Sequence, residues 1–174
     1  MKHHSTQFPY FIETGTLNAE TTRAMVPFFN KVITIELSPE YYWSNVRMYA
    51  RHYPTIQFFQ GDSTVELVRI LPGIDQPALF FLDGHWSSGD TARGSMDCPL
   101  VEELEAIMRH MRPACIIIVD DFRLFGTHLS ENWTDITKDR LLTIVASRLI
   151  SEYHLPSLLN VRDRWVLELK DVNV

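Results

Sequence analysis

The strongest constraint on the fold is a regular alternation between short apolar runs and stretches with helical spacing. The apolar runs are partly β-branched, which is typical of strands covered on both faces of a sheet. They span residues 10–12, 32–35, 56–59, 78–82 and 115–119. The helical stretches between them span residues 21–29, 39–53, 63–71 and 99–111. Because right-handed crossovers join such units, we predict an α/β fold with five parallel strands in a doubly wound sheet.

The C-terminal part of the chain predicts one more helix and a hairpin. Helical spacing continues over about residues 134–150, and two strand-like runs follow at residues 153–160 and 164–169. A turn at residues 161–163 joins the two runs, so we predict that they pair as a terminal β-hairpin.

Length and charge narrow the function classes. We expect one domain over residues 1–174, because 174 residues with 45% hydrophobic content can bury one core and leave little for a second. The 16 Lys and Arg against 22 Asp and Glu give a net charge of -6, which argues against nucleic acid as a partner.

Further sequence features concern the compartment and the subunits. Cys98 and Cys115 form no CxxC pair, and the chain shows neither a signal peptide nor a membrane span, so we expect a soluble cytoplasmic protein without a membrane partner. About nine residues precede the first strand. We therefore expect the site either to be open or to be completed by the second subunit of a homodimer.

An acidic residue stands at the end of each of the five predicted strands. These residues are Glu13, Glu36, Asp62, Asp83 and Asp120. In doubly wound sheets, ligands bind at the carboxyl ends of the strands. A single acid there more often caps a helix, but five carboxylates on one edge repel one another unless a cation, hydrogen-bond donors or a cationic ligand compensates. The pattern predicts a binding site at this edge.

The first three strand ends indicate an adenosine-containing ligand. Gly15 allows a tight turn close to a ligand, but the turn lacks both the GK[ST] ending and the full GxGxxG pattern, which disfavours a pyrophosphate cofactor. Glu36 follows Glu13 by 23 residues, near the spacing at which an acid binds ribose hydroxyls; the alternative is a partner for the next helix dipole. Asp62 is positioned to accept from an adenine amino group or to cap the third helix.

Five segments resemble the class I S-adenosylmethionine-dependent methyltransferases in order and spacing. They are FIETGTLNAETT, VITIELSP, FFQGDS, ALFFLDGHW and IIIVDDF, within residues 10–122. The resemblance implies a Rossmann-like, seven-stranded sheet ordered 3-2-1-4-5-7-6, whose last strand is antiparallel. Leu17 and Ala19 depart from the family, because many members carry glycine there.

The resemblance also implies which residues contact the cofactor, S-adenosylmethionine. Glu13 and Gly15 would line the methionine moiety, Glu36 the ribose and Asp62 the adenine. The full predicted cofactor site consists of Glu13, Thr14, Gly15, Thr16, Glu36, Leu37, Ser38, Gly61, Asp62, Ser63 and Asp83.

Three carboxylates at the fourth and fifth strand ends predict a metal site. Asp83, Asp120 and Asp121 supply hard oxygen ligands, which suit Mg²⁺. Their placement resembles that in catechol-type and macrolide-sugar O-methyltransferases. The alternative is that Asp120 and Asp121 form an acidic turn and that Asp83 contacts only the cofactor.

His85 is the predicted proton acceptor, with Asp83 as the second catalytic residue. An unperturbed imidazole pKa of roughly 6.5 lies near working pH, although His85 is alternatively a polar loop residue or a hydrogen bonder near the metal. The sequence predicts S-adenosylmethionine-dependent methyl transfer to a hydroxyl oxygen of a small or glycan-like acceptor, with Mg²⁺ assistance. The alternatives are a cofactor-binding protein of the same fold without transfer and, less favoured, a nicotinamide-dependent oxidoreductase.

Overall fold

The structure is a computed structural model, and it describes residues 7–87, 91–129, 131–156 and 163–172. Its strands are β1 (Tyr10–Thr14), β2 (Lys31–Glu36), β3 (Ile56–Gln60), β4 (Ala78–Leu82), β5 (Cys115–Val119), β6 (Leu149–Leu155) and β7 (Arg164–Leu169). They form a seven-stranded sheet with the order β3-β2-β1-β4-β5-β7-β6. The first five strands pair in parallel, and β7 runs antiparallel to β5 and β6. The predicted strand order and antiparallel last strand are confirmed.

Helices connect the strands across both faces of the sheet. They are α1 (Glu20–Met25), α2 (Pro39–Tyr49), α3 (Ser63–Ile70), α4 (Leu100–His110) and α5 (Lys138–Val145), with 3-10 turns at Leu71–Gly73 and Phe122–Leu124. Within the described residues, no helix combines the length and apolar character that crossing a bilayer requires.

Side-chain caps begin α2 and α3 directly after the strands that precede them. The Ser38 hydroxyl accepts from the Tyr41 amide at 3.4 Å, and the Asp62 carboxylate accepts from the Thr64 amide at 2.9 Å. Each cap satisfies a helix amide that has no intrahelical partner. The short connections therefore hold the ends of β2 and β3 at one edge of the sheet.

The core divides into two clusters, one on each face of the sheet. Ile12 of β1 belongs to the larger cluster, which includes Leu104 of α4 and Leu141 of α5, whereas Phe11 packs in a smaller cluster with Phe29 beyond α1. Adjacent residues of one strand thus point into different clusters, as expected for a sheet covered on both faces.

Two helices near the N-terminus are shorter than predicted. The first helix ends at Met25 because Pro27 interrupts the predicted stretch, and α2 ends at Tyr49, ahead of Pro54. The first strand extends to Thr14, so Glu13 belongs to the strand and not to the turn.

The predicted helix and strand before β7 are present as α5 and β6, but their predicted boundaries are wrong. The predicted helix over residues 134–150 is confined to α5, and the predicted strand over residues 153–160 begins earlier, at Leu149. Buried Arg148 explains the change, because its guanidinium donates to the carbonyls of Met111 and Pro113 and fixes the chain between α5 and β6. Residues 157–162, with most of the predicted turn, lie outside the described residues.

Candidate functional site

A cavity opens at the carboxyl ends of β1 to β4 and unites most of the predicted cofactor residues. Those that line it are Gly15, Glu36, Leu37, Gly61, Asp62, Ser63 and Asp83, and the predicted proton acceptor His85 lines it as well. Three others lie behind the lining: Thr14 is fully buried, the Thr16 hydroxyl lies 2.6 Å from that of Thr34, and Ser38 caps α2.

Gly15 brings the first turn against the end of β4. Its φ of 82° lies in the left-handed region, and a Cβ placed on it would lie 2.2 Å from the Asp83 carbonyl oxygen. No side chain fits in that space, so glycine is required by both conformation and contact. The close approach places the first turn directly beside Asp83.

The turn continues through two strained residues. Leu17 and Ala19 have φ values of 45° and 56°, in the left-handed region that costs non-glycine residues about 1–2 kcal/mol each. The Leu17 amide donates to Glu36 at 2.8 Å, and its carbonyl accepts from Asn45 at 2.7 Å. These contacts hold the backbone in the conformation that glycine at these positions would adopt freely.

The Glu36 and Asp62 carboxylates hold the turns and also face the cavity. Glu36 accepts from the amides of Leu17 and Ser38, both at 2.8 Å, through different oxygens. A carboxylate offers about four lone-pair sites, so each oxygen of Glu36 keeps one for a ligand hydroxyl. Asp62 caps α3 through Oδ1, whereas its Oδ2 points toward Gly94 on the far side of the cavity.

Glu13 lies beneath the first turn and not in the cavity lining. Its carboxylate is 2% exposed and accepts hydrogen bonds from the hydroxyls of Thr22 and Thr34. Burial raises the pKa of Glu13 to about 7, and the two hydroxyls offset part of that effect. The structure therefore places the predicted methionine contact one layer behind the turn.

The loop after β4 lies across the cavity and is held by Asp97. The Asp97 carboxylate pairs with Arg93 at 2.7 Å and accepts from the Asn132 amide at 3.0 Å, while its carbonyl accepts from the Trp86 amide. The Arg93 guanidinium stacks over the Trp86 ring at 4.4 Å. These contacts join the two ends of the loop.

The free space under this loop is small. The cavity volume is about 120 Å³, whereas pockets for small molecules usually measure about 300–1,000 Å³. Gly94 approaches Leu37 across the opening, since a Cβ on Gly94 would lie 3.5 Å from the Leu37 side chain. The free volume therefore lies below the usual range for a small-molecule pocket.

His85 lies between acidic groups from three segments. Its Nδ1 is 3.4 Å from Asp83, and its Nε2 is 3.2 Å from Asp121 and 3.8 Å from Glu131. The His85 side chain is 8% exposed and packs edge-on against Trp133. Burial lowers the pKa of His85, and Asp121 opposes that shift. A neutral imidazole in this position is able to accept a proton.

Asp83 faces both the cavity and His85. Although 37% of its side chain reaches solvent, desolvation by the surrounding protein raises the pKa of Asp83 to about 8, with further contributions from Asp120 and Asp121. The side chain therefore holds its proton more tightly than an ordinary aspartate.

The predicted metal triad is divided between two groups. Within the described residues, Asp83 and Asp121 converge with His85, whereas Asp120 groups with Asp121 and Asp163. Arginines already pair with Asp120, Asp121 and Asp163. Arg164 lies 3.5 Å from Asp120, and Arg123 binds Asp121 and Asp163. An imidazole and an arginine-bound carboxylate do not match the all-oxygen surroundings that Mg²⁺ prefers.

Glu103 is a buried acid that the sequence analysis did not identify. It lies in the first turn of α4, is 1% exposed, and has an Oε1 without a hydrogen-bond partner among the described residues. Burial raises the pKa of Glu103 to about 7, and the hydroxyls of Ser63 and Thr14 offset part of that effect. The sequence feature that could have identified Glu103 is an acidic residue on the apolar face of the helix, between Leu100 and Ile107.

No family model matches the chain, and no curated protein sequence matches it. Solved structures match its fold. The N-methyltransferase NodS from Bradyrhizobium japonicum WM9, in complex with S-adenosyl-L-homocysteine, is 11% identical, with a TM-score of 0.57 over 97% of this chain and 80% of that one. The cofactor-bound Rv0187 from MTB is 17% identical, with a TM-score of 0.60 over 94% and 73%.

The same fold also occurs in a protein that is named as a synthase and not as a methyltransferase. Spermidine synthase from Thermotoga maritima is 10% identical to this chain, with a TM-score of 0.60 over 97% of this chain and 56% of that one. At these identities the comparisons show a Rossmann-like methyltransferase fold, and function has to be argued from the site.

Proposed function

We propose that the chain is an S-adenosylmethionine-dependent methyltransferase that methylates a hydroxyl oxygen of a small or glycan-like acceptor. The acidic character of the cavity lining is the observation that supports this proposal. The Glu36 and Asp62 carboxylates and the Asp83 carboxyl group line the cavity, and no lysine or arginine is among its described lining residues. Such a cavity favours a donor with a sulfonium and an ammonium group over a dinucleotide with two negative phosphates.

The strand order supports one orientation of the donor. Asp62 ends β3, Glu36 ends β2, and Gly15 with Asp83 lies where β1 meets β4. An adenine beside Asp62 and a ribose beside Glu36 direct the methionine part and its sulfonium toward Asp83. The reactive methyl group then faces His85.

His85 is our proposed proton acceptor. We place the proton of the neutral ring on Nε2, which faces Asp121 at 3.2 Å, and leave Nδ1 free on the Asp83 side. The acceptor oxygen bonds to the methyl carbon while the carbon–sulfur bond breaks, and the sulfur keeps the electron pair as a neutral thioether. The hydroxyl proton passes to Nδ1, and the nearby carboxylates stabilise the imidazolium that forms.

Magnesium assistance stays a prediction. The group of Asp83, His85 and Asp121 disagrees with an all-oxygen Mg²⁺ site, so we assign no step to the ion. Methyl transfer measured with added Mg²⁺ and with a chelator tests the prediction.

The homodimer is likewise a proposal. Light scattering on the purified chain tests it by measuring whether the mass in solution is that of one chain or of two.

Calorimetric titration with S-adenosylmethionine and with NADH tests the proposed function. We expect binding of the first and not of the second, followed by label transfer from methyl-labelled donor to a panel of hydroxylated acceptors. Binding of NADH alone would contradict the proposal. Tight donor binding without transfer to any acceptor would favour the alternative, a protein that binds the cofactor and no longer transfers methyl groups.

A further inference from the structure

Three carboxyl groups surround the end of the cavity where β1 meets β4. Asp83 lines the cavity, Glu13 lies beneath the first turn, and Glu103 lies behind the loop that follows β4. Within the described residues, no lysine or arginine forms an ion pair with any of the three. Two threonine hydroxyls contact Glu13, a histidine contacts Asp83, and Glu103 Oε1 has no hydrogen-bond partner among these residues.

Glu103 is directed at the floor of this end of the cavity. A Cβ placed on Gly84, which lines the cavity, would lie 3.1 Å from Glu103 Oε1 and 3.1 Å from the Thr14 hydroxyl. That carboxylate oxygen is buried and has no hydrogen-bond partner in the described structure. Glu103 Oε1 and the Thr14 side chain therefore lie directly behind Gly84, which lines the cavity.

Glu13 lies on the opposite face of β1 from Thr14, beneath the first turn, where its carboxylate accepts from two threonine hydroxyls. It precedes Gly15 by two residues, and Gly15 contacts the backbone of Asp83. Burial raises the pKa of both Glu13 and Asp83, and the charge of Glu13 makes a smaller contribution to the pKa of Asp83 than burial does. Burying an ionised acid without a cationic partner is unfavourable for the empty protein, and a bound ligand cation reduces that cost.

We propose that Glu13, Asp83 and Glu103 make the cavity select the sulfonium donor over its thioether product by charge. This inference rests on the proposed function. Transfer of the methyl group removes the positive charge from sulfur, so the product loses an attraction that the donor has, although the remaining atoms keep their contacts. The acids thereby favour exchange of spent product for new donor.

Calorimetry at pH 8.5 tests the selectivity with three ligands. They are S-adenosylmethionine, S-adenosylhomocysteine and a donor analogue in which a carbon-bound ammonium replaces the methyl sulfonium. We expect the donor and the ammonium analogue to bind about tenfold or more tightly than the thioether. Equal or tighter binding of the thioether would overturn the inference while leaving the proposed function intact. Absence of binding by all three ligands would overturn both.

Isosteric variants identify the groups responsible. Glu103→Gln and Glu13→Gln should each reduce the ratio of thioether to donor dissociation constants severalfold, mainly by weakening the donor. Glu105→Gln, on the exposed side of α4, removes the same charge and should leave the ratio unchanged. If the ratio is unchanged in both buried variants while their thermal transitions show that they are folded, charge selection by these acids is wrong.

Discussion

The acids at the β1–β4 end of the site and those at the β5–β7 end are arranged in opposite ways. Glu13 is buried with two threonine hydroxyls as partners and Glu103 is buried with an unpaired Oε1, whereas Asp121 and Asp163 share the guanidinium of Arg123. Arg164 in turn approaches Asp120 at 3.5 Å. The acids at the β5–β7 end therefore have arginine partners, whereas Glu13 and Glu103 have no ion pair with an arginine or lysine among the described residues.

This difference separates acids that stabilise the chain from acids that are suited to a cation. An arginine-bound carboxylate has part of its lone-pair capacity occupied, and a cation would have to compete with the arginine. A buried acid without a cation destabilises the empty protein, so its presence in a cavity wall is informative. The predicted magnesium site lies mostly at the compensated end, and the proposed sulfonium position lies at the other.

The largest expected effect concerns His85, which lies between the two ends. His85→Ala should lower the rate of methyl transfer about 10²- to 10⁴-fold, because it removes the proton acceptor, while donor affinity changes little. Single-turnover kinetics together with donor titration checks this. Asp120→Asn, at the arginine-paired end, is the matched control and should change the rate much less. If both variants lose the rate equally, the assignment of the proton acceptor to His85 is wrong.

The second prediction concerns stability against pH at the two ends. The pKa of Glu103 is raised from 4.5 to about 7 in the folded state, so the folded chain binds this proton more tightly than the unfolded one. The resulting stabilisation is complete below about pH 4.5 and is lost as the pH rises through about 7. Glu103→Gln should therefore raise the free energy of unfolding at pH 8.5 by up to about 3 kcal/mol, and by much less at pH 5.

Asp163→Asn provides the opposite case for the same measurement. Asp163 is 1% exposed and binds Arg123 at 2.6 Å, so its removal should lower the free energy of unfolding by about 1–3 kcal/mol. Denaturant titration of the two variants at both pH values checks the contrast. A stabilised Asp163→Asn, or a Glu103→Gln destabilised at pH 8.5, would show that the two ends do not differ in this way.

The third prediction concerns the donor contacts. Glu36→Ala should weaken donor binding about 10- to 100-fold, because it removes the proposed acceptor of the ribose hydroxyls and two hydrogen bonds, one to the first turn and one to the connection before α2. Glu40→Ala, exposed on α2, removes the same charge without touching the cavity and should bind normally. Calorimetry compares the two, and equal affinities would remove Glu36 from the site.

Much of the fold could be predicted because hydrophobic pattern and chain crossover are local rules. The boundaries of β4, β5 and β7 agree with their apolar runs, whereas β6 differs because its start depends on Arg148 and carbonyls about 35 residues away. Sequence periodicity carries no information about such a contact. Similarly, the strand ends predicted which acids approach the cavity, but not which of them have an arginine partner.

The sequence predicted which residues lie at the site better than it predicted the directions in which their side chains point. Gly15, Glu36, Asp62 and Asp83 line the cavity, as strand ends in a doubly wound sheet should, whereas the Glu13 carboxylate turns inward to two threonine hydroxyls. Alternation along a strand decides which way a side chain points, and the strand extends further than its apolar run. Extending that run to Thr14 would have placed Glu13 inside the protein.

The smallest expected effect extends the comparison from charge to backbone conformation. Both ends contain left-handed residues, but Asp121 belongs to a type that tolerates this conformation, whereas Ala19 does not. Ala19→Gly should relieve the strain and nearly offset the entropy cost of glycine, while Ala50→Gly, at a right-handed position, should only lose stability. We expect Ala19→Gly to be about 1 kcal/mol more stable than Ala50→Gly in denaturant titration. The reverse order would mean that the first turn is not strained, and the cavity end would then differ from the other in charge alone.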